Sequence, residues 1–278
     1  MRVIDTYSEL IVLLDKMNGS FDIDLWKNYA FGIAKNLPEK LQEDSKEYNF
    51  DAEILPVLSR AVNHRDVLAH LHNSFLAVTM NIGKRCQKAF QADLDVDIIL
   101  YLGLCNGAGW ATLLDGKKTV LLGVEKIMEL HWFDEKSMTG LIYHELGHIL
   151  HDVNGAESCH PLTPYDKSVW QLYREGMAGY CEQLLCGDVS SYHQNKGDWL
   201  DWCVYHQKEI LHEYRKRLRN KGSTQDFFGD WAQWRGRSDL GYFLGCEFAK
   251  SLAPRYTLKE LLTLGLPEIK REFDRYTL

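Results

Sequence analysis

DVDIILYLGLCNGAGWATLLDGKKTVLLGV, residues 95–124, is the stretch whose reading decides the fold. Its first ten residues are rich in Val, Ile and Leu, as a buried strand is. GWATLL and KKTVLLGV then flank Asp115-Gly116, a pair that closes a tight hairpin because both residues tolerate positive φ. The stretch therefore predicts a small sheet over 95–124. Residues 1 to about 92 instead carry apolar positions recurring at three and four, in SELIVLLDKM, DLWKNYAFGIAKNL and PVLSRAVNHRDVLAHLHNSFLAVTMNIGKRCQKAF, and read as an all-helical region. From Phe133 onward helical patterning returns over about 135–152, 166–186, 198–218, 239–252 and 257–275, with Gly, Pro and Asn at the breaks. Helices, a short sheet and more helices predict an α+β, mostly helical chain: an N-terminal helical region 1–92, followed by a domain 93–278.

Composition limits what such a chain can do. With 278 residues, 45% of them apolar, it can bury a substantial core. The net charge of -7, without a basic stripe, argues against nucleic acid and anionic membranes as partners. No segment approaches the roughly 20 apolar residues of a membrane span. The apolar run around Leu10–Leu14, flanked by Asp5 and Glu9, is too short and too acidic for a secretory signal. Seven cysteines form an odd set without CxxC pairs, which predicts reduced thiols and a cytoplasmic location, with Cys181 and Cys186 used in packing.

Within 135–152, at 100° per residue, Met138, Ile142, Leu146, Ile149 and Leu150 fall on one side and His144, Glu145, His148 and His151 on another. His144 and His148, one turn apart, can both offer a ring nitrogen to one Zn²⁺. Glu145 lies beside them, off the ligand axis, where a general base belongs. Gly147 would let another backbone approach. An amphipathic helix that carries HExxH by accident is the competing reading. Downstream, WQLYREGMAGYCEQLL (170–185) puts Trp170, Tyr173, Met177, Tyr180, Cys181 and Leu184 on one side of a helix. Glu175, Gly179 and Glu182 lie opposite with Ala178 beside them, a pattern expected of a helix facing a cavity.

HELGH followed by a helix with EGMAGYCE resembles the gluzincin metallopeptidases, the thermolysin-like and aminopeptidase N-like clan, and is similar to zinc-dependent proteases of bacterial chains. The resemblance covers residues 95–186, and 235–265 more loosely. It implies a zincin-like catalytic core that binds one Zn²⁺ through His144, His148 and Glu175, with Glu145 as catalytic base and a peptide or protein as substrate. It also implies that an edge strand, Gly109–Leu113 or Thr119–Gly123, pairs with extended substrate, which makes Gly109 and Trp110 substrate-binding candidates. Tyr242 and Arg237 become candidates for stabilising the oxyanion or holding substrate.

The chain departs from the family in three places. Twenty-six residues lie between His148 and Glu175, so the loop NGAESCHPLTP must be accommodated. Gly179 stands where thermolysin-like enzymes carry a carboxylate that orients a histidine, leaving Glu182 as the candidate second carboxylate. Gly107-Ala108-Gly109-Trp110-Ala111 lacks the Glu with which aminopeptidases bind a free amine. His151 is expected at the surface or in a supporting place behind the ligands, and Trp199, Trp202, Trp231 and Trp234 as core or groove lining. The function expected is zinc-dependent peptide hydrolysis; the alternative is a metal-binding or peptide-binding protein of the same fold without hydrolytic activity.

Overall fold

The structure, a computed structural model, describes residues 1–156, 159–229 and 232–276. The chain is α+β and mostly helical, with one four-stranded sheet. Its contacts divide it into two compact units, Met1–Glu145 and Leu146–Leu278.

The first unit is built on the sheet. β1 (Arg2–Asp5), β2 (Asp97–Tyr101), β3 (Gly109–Leu114) and β4 (Lys117–Gly123) stand in the order β1-β2-β4-β3. β1, β2 and β4 run parallel, Ile99 pairing with Ile4 on one side and Leu121 on the other, and β3 is antiparallel to β4. β2 is buried along its whole length, as expected for a strand covered on both faces. Asp115 (φ 48°) and Gly116 (φ 78°) make the hairpin turn that the Asp-Gly pair predicts.

β1 corrects the all-helical reading of residues 1–92. Four residues are too short to display a period, and Arg2–Asp5 is extended because it pairs with a strand ninety-five positions away, an interaction invisible to local pattern. Its register is reinforced by the Arg2 guanidinium, whose Nε donates to Asp97 Oδ1 at 3.1 Å. The remaining helices of this part are α1 (Tyr7–Met17), α2 (Ile23–Ile33), α3 (Leu37–Asp44), α4 (Leu55–Asn63), α5 (Arg65–Thr79) and α6 (Ile82–Phe90), followed after the sheet by α7 (Val124–Glu129). Trp26 of α2 donates from Nε1 to the Leu102 carbonyl at 2.9 Å, and Thr6 Oγ1 donates to the Leu100 carbonyl at 2.6 Å, so the end of β2 is held by side chains.

α8 (Glu135–Val153) is one unbroken helix that crosses the boundary between the units. Asp134 caps its start, accepting from the Lys136 and Ser137 amides at 3.0 Å. The second unit continues with α9 (Pro164–Cys186), α10 (Trp199–Tyr205), α11 (Gln207–Arg219), α12 (Leu240–Leu252), α13 (Leu258–Leu261) and α14 (Leu266–Tyr276). α9 opens on a capping box between Thr163 and Asp166 and closes on Gly187 at φ 67°. Two expected helices are broken. The 198–218 segment interrupts at His206 (φ −100°, ψ 13°), and 257–275 interrupts ahead of Gly265 and Pro267, a pair that stops one helix and starts the next.

The small residues of α9 do something other than line a cavity. A Cβ on Gly176 would overlap the Gly245 carbonyl of α12, and one on Gly179 would press on the Cys246 side chain. Gly176 and Gly245 thus let two helix backbones touch, and Gly179 is buried. Glycine serves close helix packing here, correcting the cavity-facing reading. Cys181 and Cys246 are buried, and all seven cysteines are free thiols. Among the described residues no helix is long and apolar enough to cross a membrane.

Candidate metal centre

His144, Glu145 and His148 are all buried, although each carries ionisable or strongly polar atoms. Burial of such groups demands partners. The i, i+4 spacing on α8 points both imidazoles the same way. α9 runs beside this helix at close range: a Cβ on Gly147 would stand 2.9 Å from both the Cα and the carbonyl oxygen of Ala178. Gly147 therefore does admit another backbone, and that approach brings Glu175 in. Glu175 Oε2 stands 3.2 Å from His148 Nε2. Donor atoms of His144, His148 and Glu175 all lie within 4.8 Å of one another.

Two imidazoles and one carboxylate are ligands that Zn²⁺ accepts, at about 2.0–2.2 Å each. Two donors at that radius around a tetrahedral ion stand roughly 3.4 Å apart, which the His148–Glu175 separation matches. The donor set fits the ion in type and in spacing.

Glu145 belongs to a different arrangement. Its Oε2 accepts from the Ala111 amide of β3 at 2.8 Å. Gly109 is what permits this, since a Cβ there would stand 2.7 Å from both Cγ and Oε1 of Glu145. The sheet order decides which strand presents this edge. β4 is paired on both sides, by β2 and β3, so Thr119–Gly123 has no open side, whereas β3 ends the sheet. Gly123 donates to the Ala108 carbonyl, so by alternation Gly109, Ala111 and Leu113 aim their backbone polar groups away from β4.

A second cluster was not foreseen. His193, in the loop between α9 and α10, is buried, and its Nδ1 lies 2.8 Å from Glu182 Oε2. Gln194 Nε2 lies 2.8 Å from the other ring nitrogen. Burial pushes the His193 imidazole down to about 3, against the pull of the Glu175 carboxylate. The neutral ring donates through Nδ1 to Glu182 and accepts from Gln194 at Nε2. Ser191 Oγ donates to the other Glu182 oxygen at 3.2 Å. Donor atoms of His144, Glu182 and His193 again lie within 4.8 Å of one another. The histidine that meets Glu182 is His193, a loop residue for which helical periodicity carries no signal.

The remaining candidates separate. Tyr242, at the start of α12, is half-buried and packs edge-on against the His193 ring, centroids 6.3 Å apart. Trp110 of β3 is half-buried under Lys40. Arg237 is engaged elsewhere: Nη2 donates to Asp198 at 2.8 Å and the guanidinium lies over Trp202. Trp199 is buried and donates to the Ser238 carbonyl, Trp202 packs edge-on against Trp234, and Trp231 lies outside the described residues. His151 is not a surface residue. It is 1% exposed, packed against Trp170 and Tyr173, because the apolar side of α9 covers it. No family model, curated protein or solved structure matches this chain.

Proposed function

We propose that the protein is a zinc-dependent peptidase of gluzincin type with a zincin-like core. The observation that carries this reading is the gathering of His144, His148 and Glu175 within 4.8 Å, with the neighbouring Glu145 turned to the open edge of β3. Those three side chains would hold the ion. When bound, Zn²⁺ acts as a Lewis acid that lowers the pKa of a coordinated water toward about 7.

The chain's own residues supply the rest. Gly109 and Leu113 offer backbone donors and acceptors, and Ala111 its carbonyl, to an extended peptide added to the sheet as a further strand. Glu145 takes the proton of the attacking water as general base and returns it to the leaving amine. The Ala111 amide keeps the Glu145 carboxylate at the edge where the scissile bond would lie. Tyr242, beside His193, is the side-chain donor we assign to the developing oxyanion. Glu145→Gln tests the mechanism: it should retain zinc and lose peptide hydrolysis, and full activity in that variant refutes it.

One observation favours a second reading, a metal-binding protein without hydrolytic activity. His193, neutral and backed by a carboxylate, has the character of a ligand with its supporting shell. If its Nε2 turned from Gln194 to join His144, His148 and Glu175, the ion would be closed by four protein groups, as structural zinc is. His193→Ala separates the two: loss of zinc supports closure, and retained zinc supports the peptidase.

A further inference from the structure

Beside the backbone donors of β3 stands a cation that the mechanism does not use. Side chains alternate along a strand, and Gly109 faces Glu145 and Leu141, so Trp110 lies on the other face. There Lys40 of α3 holds its Nζ 4.7 Å from the centroid of the Trp110 ring. The acidic residues that follow Lys40 on α3 are engaged elsewhere. Glu43 pairs with Lys46, and Asp44 accepts from Asn106 at 2.8 Å. Among the described residues no carboxylate forms an ion pair with Lys40, and both Lys40 and Trp110 are only half-buried.

The register says what could meet this ammonium. Trp110 bonds inward to β4, so a strand added outside β3 would face it in a non-hydrogen-bonded pair. In such a pair the Cα atoms stand about 4.5 Å apart and the side chains lie on the same face, closer than at any other register position. The side chain opposite Trp110 would thus lie against the indole, under the reach of Lys40.

We propose that Lys40, seated over Trp110, selects peptide segments with a carboxylate side chain at the residue that pairs with Trp110. This rests on the peptidase reading only in taking the added strand to be substrate. The indole face packs the methylenes of a Glu side chain while the ammonium meets its carboxylate. A Lys at the same position is repelled. A partly exposed ion pair of this kind is worth roughly two- to fivefold in selectivity.

The test uses a set of peptides identical except for one position, scanned with Glu, Gln and Lys. The zinc-loaded wild type and Lys40→Glu are compared by kcat/KM on this set. The same peptides are titrated by equilibrium binding onto Glu145→Gln, with and without Lys40→Glu. The expected result is one position at which Glu is preferred over Gln roughly two- to fivefold and Lys is disfavoured, with the order reversed by Lys40→Glu. A charge order that Lys40→Glu leaves in place, or none at any position, overturns the proposal while hydrolysis preserves the peptidase reading. Charge-selective, Lys40-dependent binding without cleavage by the wild type supports the proposal and overturns the peptidase reading. Neither binding nor cleavage overturns both.

Discussion

The Ala111 amide donates to the Glu145 carboxylate at 2.8 Å, tying the residue that follows His144 to the open edge of the sheet. That bond exists because position 109 carries no side chain. A Cβ on Gly109 would press 2.7 Å from Glu145 Cγ and 2.9 Å from Leu141 Cδ1. Gly109→Ala should therefore displace the Glu145 carboxylate and lower kcat/KM by about 10²-fold, the scale of a 1 Å misplacement of a catalytic group. Zinc content should be unchanged, since no donor is touched. Peptide kinetics beside metal analysis check both halves.

Gly176→Ala acts on stability instead. Its Cβ would meet backbone, the Gly245 carbonyl, which cannot rotate away as a side chain can. α9 and α12 would have to separate, at a loss of about 3 kcal/mol. Thermal unfolding should show a fall in Tm of several degrees. Glu175, the adjacent residue, should hold zinc more weakly in the same variant.

His151 sets an acid limit. Burial, with His148 and Arg174 nearby, lowers its pKa from 6.5 to about 3. Among the described residues neither ring nitrogen has a hydrogen-bond partner. The unfolded chain binds a proton in that window and the folded chain does not, so stability rises with pH. The contribution is complete above 6.5 and is lost as pH falls from 6.5 toward 3, by roughly 1 kcal/mol per unit. His151→Leu removes the group, so chemical denaturation should show a shallower loss of stability between pH 6.5 and 4 than in the wild type.

Chelation should also destabilise. A ligand that binds only the folded state stabilises by RT ln(1 + [L]/Kd), about 4 kcal/mol at a thousandfold excess over Kd. Removing the ion would also leave the buried His148 and the half-buried Glu175 without it. A chelator should lower Tm by several degrees, and stoichiometric Zn²⁺ should restore it.

What could be read from the sequence follows the range of each interaction. The HExxH helix and the Asp-Gly hairpin depend on residues within a turn or two, and periodicity or turn chemistry reports them. β1 depends on pairing with Asp97–Tyr101, far along the chain. The choice between β3 and β4 as the open edge depends on strand order, which neither strand's residues encode. Gly179 reads as cavity lining because close packing on a neighbouring helix and an empty space both require the missing side chain. His193 lies in a loop, where no period marks a buried residue, and its bond to Glu182 appears only once the loop is folded back on α9.

The central claim is that Glu175, far from HELGH in sequence, completes a metal site with His144 and His148. The most direct measurement is metal content after purification and zinc loading, for wild type and Glu175→Ala side by side, with circular dichroism to verify folding. One zinc per chain in the wild type and loss of most of it in the folded variant is the predicted result. Equal zinc in both, or none in the wild type, contradicts the account.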